Sequence, residues 1–122
     1  MPVLKEKNYN LTIDLHEITG YLLYIDKKPI GTIGLKKIND TTCEIVRVFI
    51  REEYRKNGYA SLLFDKIEKL AKTLGYNKAE MVAWSMAKGA INLYKKLGFI
   101  SSEEKTSEWF CELKYLEFYK NI

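Results

Sequence analysis

From Tyr21 to Ile50 the apolar positions fall in short runs separated by turn residues. Tyr21 to Ile25 is apolar, Asp26-Lys27-Lys28-Pro29 supplies turn chemistry, Ile30 to Ile38 resumes with Gly31 and Gly34 inside it, and Asn39-Asp40 turns the chain again. This pattern predicts three antiparallel strands. The third, Thr42 to Ile50, is apolar on both parities, with Ile45 and Phe49 on one face and Val46, Val48 and Ile50 on the other. A strand covered on both faces belongs in the middle of a sheet. At Gly58 the period changes. Tyr59, Leu63, Ile67, Leu70 and Leu74 recur at spacings of three and four, opposite Asp65, Lys66, Glu68, Lys69 and Lys72, so an amphipathic helix is expected, closed by Gly75. Lys78 to Ala83 reads as a further strand, Lys88 to Leu97 as a second helix, and Glu108 to Tyr119 as a long final strand or pair. Leu11 to Leu15 alternates like a short edge strand, and Ser101 to Ser107 lacks any apolar period and reads as a loop. The predicted order is β-β-β-α-β-α-β, an α/β chain of the α+β kind in which helices pack on a mixed sheet.

The 122 residues suit one domain with one core, spanning residues 1–122. A hydrophobic content of 47% with nine tyrosines and two tryptophans argues for a folded chain. The apolar runs are far shorter than the roughly 20 residues a membrane span requires, and Met1 to Asn10 lacks a signal-peptide core, so a cytoplasmic location is the expectation. Cys43 and Cys111 lie far apart among strand-like residues, and buried free thiols are expected of both; neither has a neighbouring histidine or second cysteine to suggest a metal. The net charge of +4 is spread along the chain, which suits an anionic ligand without indicating nucleic acid.

The stretch "REEYRKNGYA", Arg51 to Ala60, joins the predicted central strand to the first helix. The first amides of a helix have no intrahelical partner and carry the positive end of the dipole, so such a junction can seat an anion. Gly58 permits a close approach or a left-handed conformation, Ala60 keeps the wall low, and Arg55, Lys56 and Asn57 add charge and donors. The same residues are also compatible with a plain polar turn ahead of an amphipathic helix.

The segment "IREEYRKNGYASLLFDKI" resembles the acetyl-CoA-binding signature of the GNAT superfamily of N-acetyltransferases, Gln/Arg-x-x-Gly-x-Gly/Ala, with Arg55, Gly58 and Ala60 filling the pattern. "AINLYKKLGF", Ala90 to Phe99, is similar to the family's second signature, an Ala and a Tyr on a helix followed by Leu-Gly-Phe. The resemblance covers roughly Tyr21 to Tyr119 and implies a GNAT-like acyl-CoA N-acyltransferase fold. It implies a pyrophosphate on the amides of Lys56, Asn57, Gly58, Tyr59, Ala60 and Ser61, with Arg55 also binding the cofactor, and a pantetheine along Val48, Phe49 and Ile50. The strand bearing Glu44 to Ile50 is expected to splay from that at Lys78 to Ala83, opening a V-shaped cleft.

The implied reaction is transfer of acetyl from acetyl-CoA to a primary amine of a protein, peptide or small molecule, by direct attack in a ternary complex. Tyr94 is the implied general acid for the departing thiolate, although a tyrosine in the stripe Ala90, Ile91, Tyr94, Leu97 also fits an ordinary core position. Glu44 is the candidate base: it is the one acid in an apolar strand, and its spacing to Arg55 is similar to that of the histone acetyltransferase branch; a structural ion pair with Arg47 or with a neighbouring strand is the alternative. His16 reads as an exposed turn residue, and Trp84 and Ser85 as possible substrate contacts at a strand end. Cys43 and Cys111 are not positioned to carry acetyl.

Two departures from the family pattern stand out. Ala87 replaces a common Asn, and the region before Tyr21 shows no helical period where the family usually has two helices, so a shortened N-terminal region and a reduced acceptor wall are expected. An open cleft of that kind suits a protein or peptide amine, or a site completed by a partner subunit. A non-catalytic acyl-CoA-binding or partner-regulating module of the same fold is the alternative function. A homodimer is compatible with the alternating final strand, whose edge could pair across two copies.

Overall fold

The computed structural model describes residues 8–15 and 18–122. The elements in chain order are β1 (Asn8–Leu15), β2 (Ile18–Ile25), β3 (Lys28–Lys37), β4 (Thr42–Ile50), a 3-10 turn (Glu52–Tyr54), α1 (Tyr59–Thr73), β5 (Lys78–Trp84), α2 (Lys88–Lys96), β6 (Ile100–Ser101), β7 (Lys105–Thr106) and β8 (Lys114–Asn121). The strands form one mixed sheet in the order β1-β2-β3-β4-β5-β8-β6, with β7 also pairing β8. Every pairing is antiparallel except that of β4 with β5. Only residues 16 and 17 separate β1 from β2, so no helix enters between these strands.

The core lies between one face of the sheet and the two helices. Leu23, Ile33, Leu35, Cys43, Ile45, Ala79, Met81 and Phe118 face Leu63, Phe64, Ile67, Ile91 and Tyr94. A Cβ added to Gly31 would lie 2.6 Å from a methyl of Ile50 and 3.4 Å from one of Leu63, so the missing side chain is what lets α1 settle onto β3. Both helices end in the same way. Gly75 and Gly98 take left-handed φ values of 95° and 94°, Gly75 N–H donates to Lys72, Tyr76 N–H to Ala71, Gly98 N–H to Lys95 and Phe99 N–H to Tyr94. These are paired Schellman closures. The helix stripe differs from expectation: Phe64 and Ala71 are buried, whereas Leu74, the C-cap beyond the last helical residue Thr73, is exposed.

Several expectations need correction. β4 is central but not covered on both faces: Arg47 takes φ 59°, and the register with β3 slips between Thr32 and Gly34. This bulge inverts the alternation, so that Ile50 joins Ile45 in the core and Phe49 turns outward, 52% exposed. The final strand begins only at Lys114; residues 108–112 form turns, with Cys111 and Glu112 at φ 50° and 57°. Cys111 is therefore exposed in a turn rather than buried in a strand, while Cys43 is a buried free thiol as expected. The reading of Ser101 to Ser107 as a loop missed β6 and β7. Those strands, with Ser102 N–H donating to the Glu117 carbonyl at 2.7 Å, occupy the outer edge of β8. That edge is not free to pair across a dimer.

Candidate active site

β4 and β5 pair in parallel only at Thr42 with Lys78, Cys43 with Ala79 and Glu44 with Glu80. Beyond Glu44 the two strands no longer pair, while β4 continues on β3 to Ile50 and β5 on β8 to Trp84. The sheet is thus split into a V, and the backbone groups of β4 that face β5 beyond the apex have no strand partner among the described residues. A parted edge of this kind can accept an extended amide-bearing chain.

The mouth of the V is the junction "REEYRKNGYA". Arg51 N–H donates to the Ile30 carbonyl at 2.8 Å and its Nε to the Pro29 carbonyl at 2.7 Å, which fixes the chain as it leaves β4. Arg55 folds back, its Nε donating to the Ile50 carbonyl at 2.9 Å and its guanidinium lying 5.7 Å from the centre of the Phe49 ring. The Asn57 amide donates to the carbonyls of Tyr54 and Arg55. Lys56 and Gly58 take φ 64° and 82°, and Gly58 is the N-cap of α1 with no side-chain bond to the first amides. A left-handed N-cap without a side chain leaves the first turn of the helix open to an anion. Tyr59 contributes through its backbone, since its side chain is in the core; Ala60 is half-buried and Ser61 exposed. Val48 is half-buried on β4.

Tyr94 is 7% exposed on α2, with its ring 5.5 Å from Phe118, 5.6 Å from Phe64 and 6.5 Å from Phe99. The spacing Tyr-x-x-x-Gly-Phe has a physical reason independent of chemistry: the helix closure joins Phe99 N–H to the Tyr94 carbonyl and stacks the two rings. The hydroxyl makes no hydrogen bond among the described residues, and burial raises the phenol above its ordinary value. A proton held there through neutral pH is what a general acid needs.

Glu44 lies at the apex. It is half-buried, and it has no ion pair among the described residues, so the expected alternative of a bridge to Arg47 is not formed. By the pleat, Cys43 and Ile45 point to the helices and Glu44 points to the opposite, open face, beside Glu80 of β5. Glu44 and Glu80 share a cavity of about 380 Å³ with Val82, Glu117 and Tyr119. Tyr94, packed on the helix face, and Glu44, on the open face, therefore lie on opposite sides of the sheet.

Of the other candidates, His16 lies outside the described residues. Trp84 packs edge-on against Phe110 and Tyr115 at 5.6 and 6.2 Å, and the Ser85 hydroxyl is buried without a hydrogen-bond partner among the described residues. Ala87 is the N-cap of α2 and offers it no side-chain bond. Sequence reasoning missed Glu80, which becomes visible only once the β4–β5 register sets it beside Glu44, and the turn at 108–112, whose apolar residues mimic a strand. Among the described residues no cluster could hold a metal, and no helix is long and apolar enough to cross a membrane.

Comparison with known proteins agrees with this architecture. The uncharacterised protein YyaT of Bacillus subtilis strain 168 is 32% identical over 84 residues, 68% of this chain and 54% of that protein. N-acetyltransferase 8 of Rattus norvegicus is 26% identical over 89 residues, 69% of this chain and 38% of that protein. The chain thus spans about half the length of the first and less of the second. Among solved structures, a GNAT family acetyltransferase from Elizabethkingia anophelis with acetyl-CoA bound superposes with a TM-score of 0.79 at 19% identity, covering 87% of this chain and 77% of that one, which is a likeness of fold. A sequence model of the Acetyltransferase (GNAT) family matches residues 2–99, most of the chain and both signature segments, and the chain belongs to that family.

Proposed function

We propose that the protein is an acetyl-CoA-dependent N-acetyltransferase that transfers acetyl directly to a primary amine. The observation that carries this reading is the parting of β4 from β5 after Glu44 and Glu80, with the open start of α1 at the mouth of the gap. The amides of Lys56 to Ser61 would hold the pyrophosphate and Val48 to Ile50 would pair with the pantetheine amides. A β4 amide in the Val48 to Ile50 stretch would polarise the thioester carbonyl. Glu44, on the open face, would take a proton from the incoming ammonium, leaving a neutral amine to attack. The new N–C bond forms as the C–S bond breaks, the attacking nitrogen releases its second proton to water, and Tyr94 would give its proton to the thiolate and regain one from solvent, yielding the N-acetyl product and free CoA.

The first test is calorimetric titration with acetyl-CoA of the wild type and of Gly58→Glu, whose carboxylate would repel the pyrophosphate. Micromolar binding lost in the variant is the expected result; absence of wild-type binding would overturn the reading. Turnover is tested by release of CoA and acetylated amine. The alternative, a domain that binds acyl-CoA without turnover, draws support from Ala87, which gives α2 no side-chain cap. It would be favoured by wild-type binding with no acetylation of any amine tried.

A further inference from the structure

The open face carries a second hollow that acetyl transfer as described does not use. The turn between β7 and β8 projects Trp109, 89% exposed, and Phe110, 58% exposed, over the end of β5. It is a built turn. The buried Ser107 hydroxyl accepts from the N–H groups of Trp109 and Phe110 at 3.3 Å each, Ser107 N–H donates to the Leu113 carbonyl and Leu113 N–H to that of Phe110. Two non-glycine residues, Cys111 and Glu112, are held in the left-handed region to make it. This is the left-handed pair of a two-residue hairpin turn, as at Asp26 and Lys27, but the two large aromatics it holds in solvent are not explained by core packing. Together with Val82, Trp84, Tyr115 and Glu108, the two aromatics line a cleft of about 470 Å³.

This cleft adjoins the cavity at the apex of the V, Val82 being a wall of both. On the open face Trp84 stands four residues from Glu80, about 13 Å along the strand. The two hollows are lined by four carboxylates, Glu44, Glu80, Glu117 and Glu108, against one ammonium, Lys78, on a chain whose net charge is +4. Lys78 and Lys105 pair with Glu80 and Glu117, while Glu44 and Glu108 have no ion pair among the described residues. The sequence of chemistry along the groove is an unpaired carboxylate at the reacting end and an aromatic cleft with an unpaired carboxylate at the far end. Aromatic faces beside a carboxylate hold an ammonium through cation–π and Coulomb attraction.

We infer that the aromatic cleft is a subsite for the second ammonium of a linear di- or polyamine acceptor whose reacting amine lies at Glu44. The inference rests on the transfer reading above for its reacting end, but the cleft can be tested by itself. Trp84 and Trp109 are the two tryptophans of the chain, so tryptophan fluorescence, excited beyond the tyrosine absorption band, reports the cleft. The experiment titrates the full chain, with and without CoA, with a linear eight-carbon diamine and with the eight-carbon monoamine. The diamine is expected to change the fluorescence and bind roughly ten-fold more tightly than the monoamine, by the size usual for a cation–π contact supported by a carboxylate. Glu108→Gln, at an exposed turn, and Trp84→Leu should each erase that difference while leaving the acetyl-CoA affinity unchanged by calorimetry. In turnover, the diamine should be preferred in kcat/KM by a similar factor, and the preference should vanish in both variants. Diamine binding without acetylation would leave the cleft assignment standing and remove the transfer reading. Acetylation of both amines with equal kcat/KM and no fluorescence change would remove the cleft assignment and leave transfer standing. Tighter binding of the monoamine would mark the cleft as simply apolar and overturn the inference.

Discussion

The two faces of the sheet are built for different ends. The helix face is closed by side chains that touch one another, Phe118 at 1% exposure among Phe64, Tyr94 and Met81, and it is here that the stability of the fold resides. The open face is half-wet: Val82 is 49% exposed, Glu44 half-buried, and aromatic rings stand at its far end. Only residues 16 and 17 join β1 to β2, so that connection supplies no covering helices. The contrast teaches that this chain uses one face to fold and keeps the other for recognition, and that substitutions on the two faces should be read out by different experiments.

The sharpest break of that comparison is in the core. Phe118→Ala should lower unfolding free energy by about 3–5 kcal/mol, through lost transfer energy and the cavity left between the sheet and α2. Val82→Ala on the open face should cost under about 1 kcal/mol, because its side chain already meets water. Urea denaturation with matched m values checks both. Similar losses for the two would mean the open face is covered in solution.

Next in size is the hydroxyl of Tyr94, which belongs structurally to the core and, in the proposed reaction, chemically to the V. Tyr94→Phe keeps the ring contacts with Phe64, Phe99 and Phe118 and removes a group with no hydrogen bond among the described residues. Stability should change by less than about 1 kcal/mol, while kcat falls roughly 100-fold, the lower end of what a general acid contributes. Because burial raises the phenol, the wild-type rate should show no alkaline fall from this group until pH exceeds its ordinary value of 10.0. A variant with unchanged kcat would return Tyr94 to the role of a core residue that closes α2.

Much of the helix side was legible in the sequence, and the reason is local. A period of 3.6, a glycine at a helix end and a glycine ahead of a helix are set by near neighbours, so α1, α2 and the turn at Gly58 could be read directly. The open face depends on contacts between distant segments. That Glu80 stands beside Glu44 follows from the parallel register of β4 and β5, and the bulge at Arg47, which turns Phe49 outward, follows from the pairing with β3. The run Trp109-Phe110-Cys111 looked like a strand because alternation and apolarity cannot tell a paired strand from a turn tied by Ser107. Glu44 is legible as the one acid in an apolar strand and from its spacing to Arg55, but its face and its lack of an ion pair among the described residues depend on the fold.

A smaller effect is expected where the chain departs from the family pattern. Ala87 begins α2 with no side-chain bond to the free amides, so Ala87→Asn should add about 1 kcal/mol to stability by capping them. It sits next to the V, and the same variant asks whether the helix end is kept open for a ligand. A gain in stability with weakened acetyl-CoA binding would say that it is; a gain with unchanged binding would make Ala87 merely a missing cap.

The smallest effect separates the faces by thiol chemistry. Cys43 lies at 0% exposure under the helices, and burial pushes its thiol up from 9.0 to about 11, with the neighbouring Glu80 adding to the rise. A group whose folded value is raised favours the folded state below its unfolded value, and that contribution is lost as pH climbs from about 9 through about 11. Cys43→Ala should therefore flatten the decline in stability over that window, at the cost of a small cavity. Cys111, exposed in the turn beside the aromatic cleft, has no such protection. Treated with a thiol reagent at neutral pH, the native chain should modify one cysteine quickly and the second only at the rate of unfolding. Prompt modification of both would mean that the sheet opens at β4 and β5 without global unfolding, and the apex of the V would then be a hinge instead of a fixed joint.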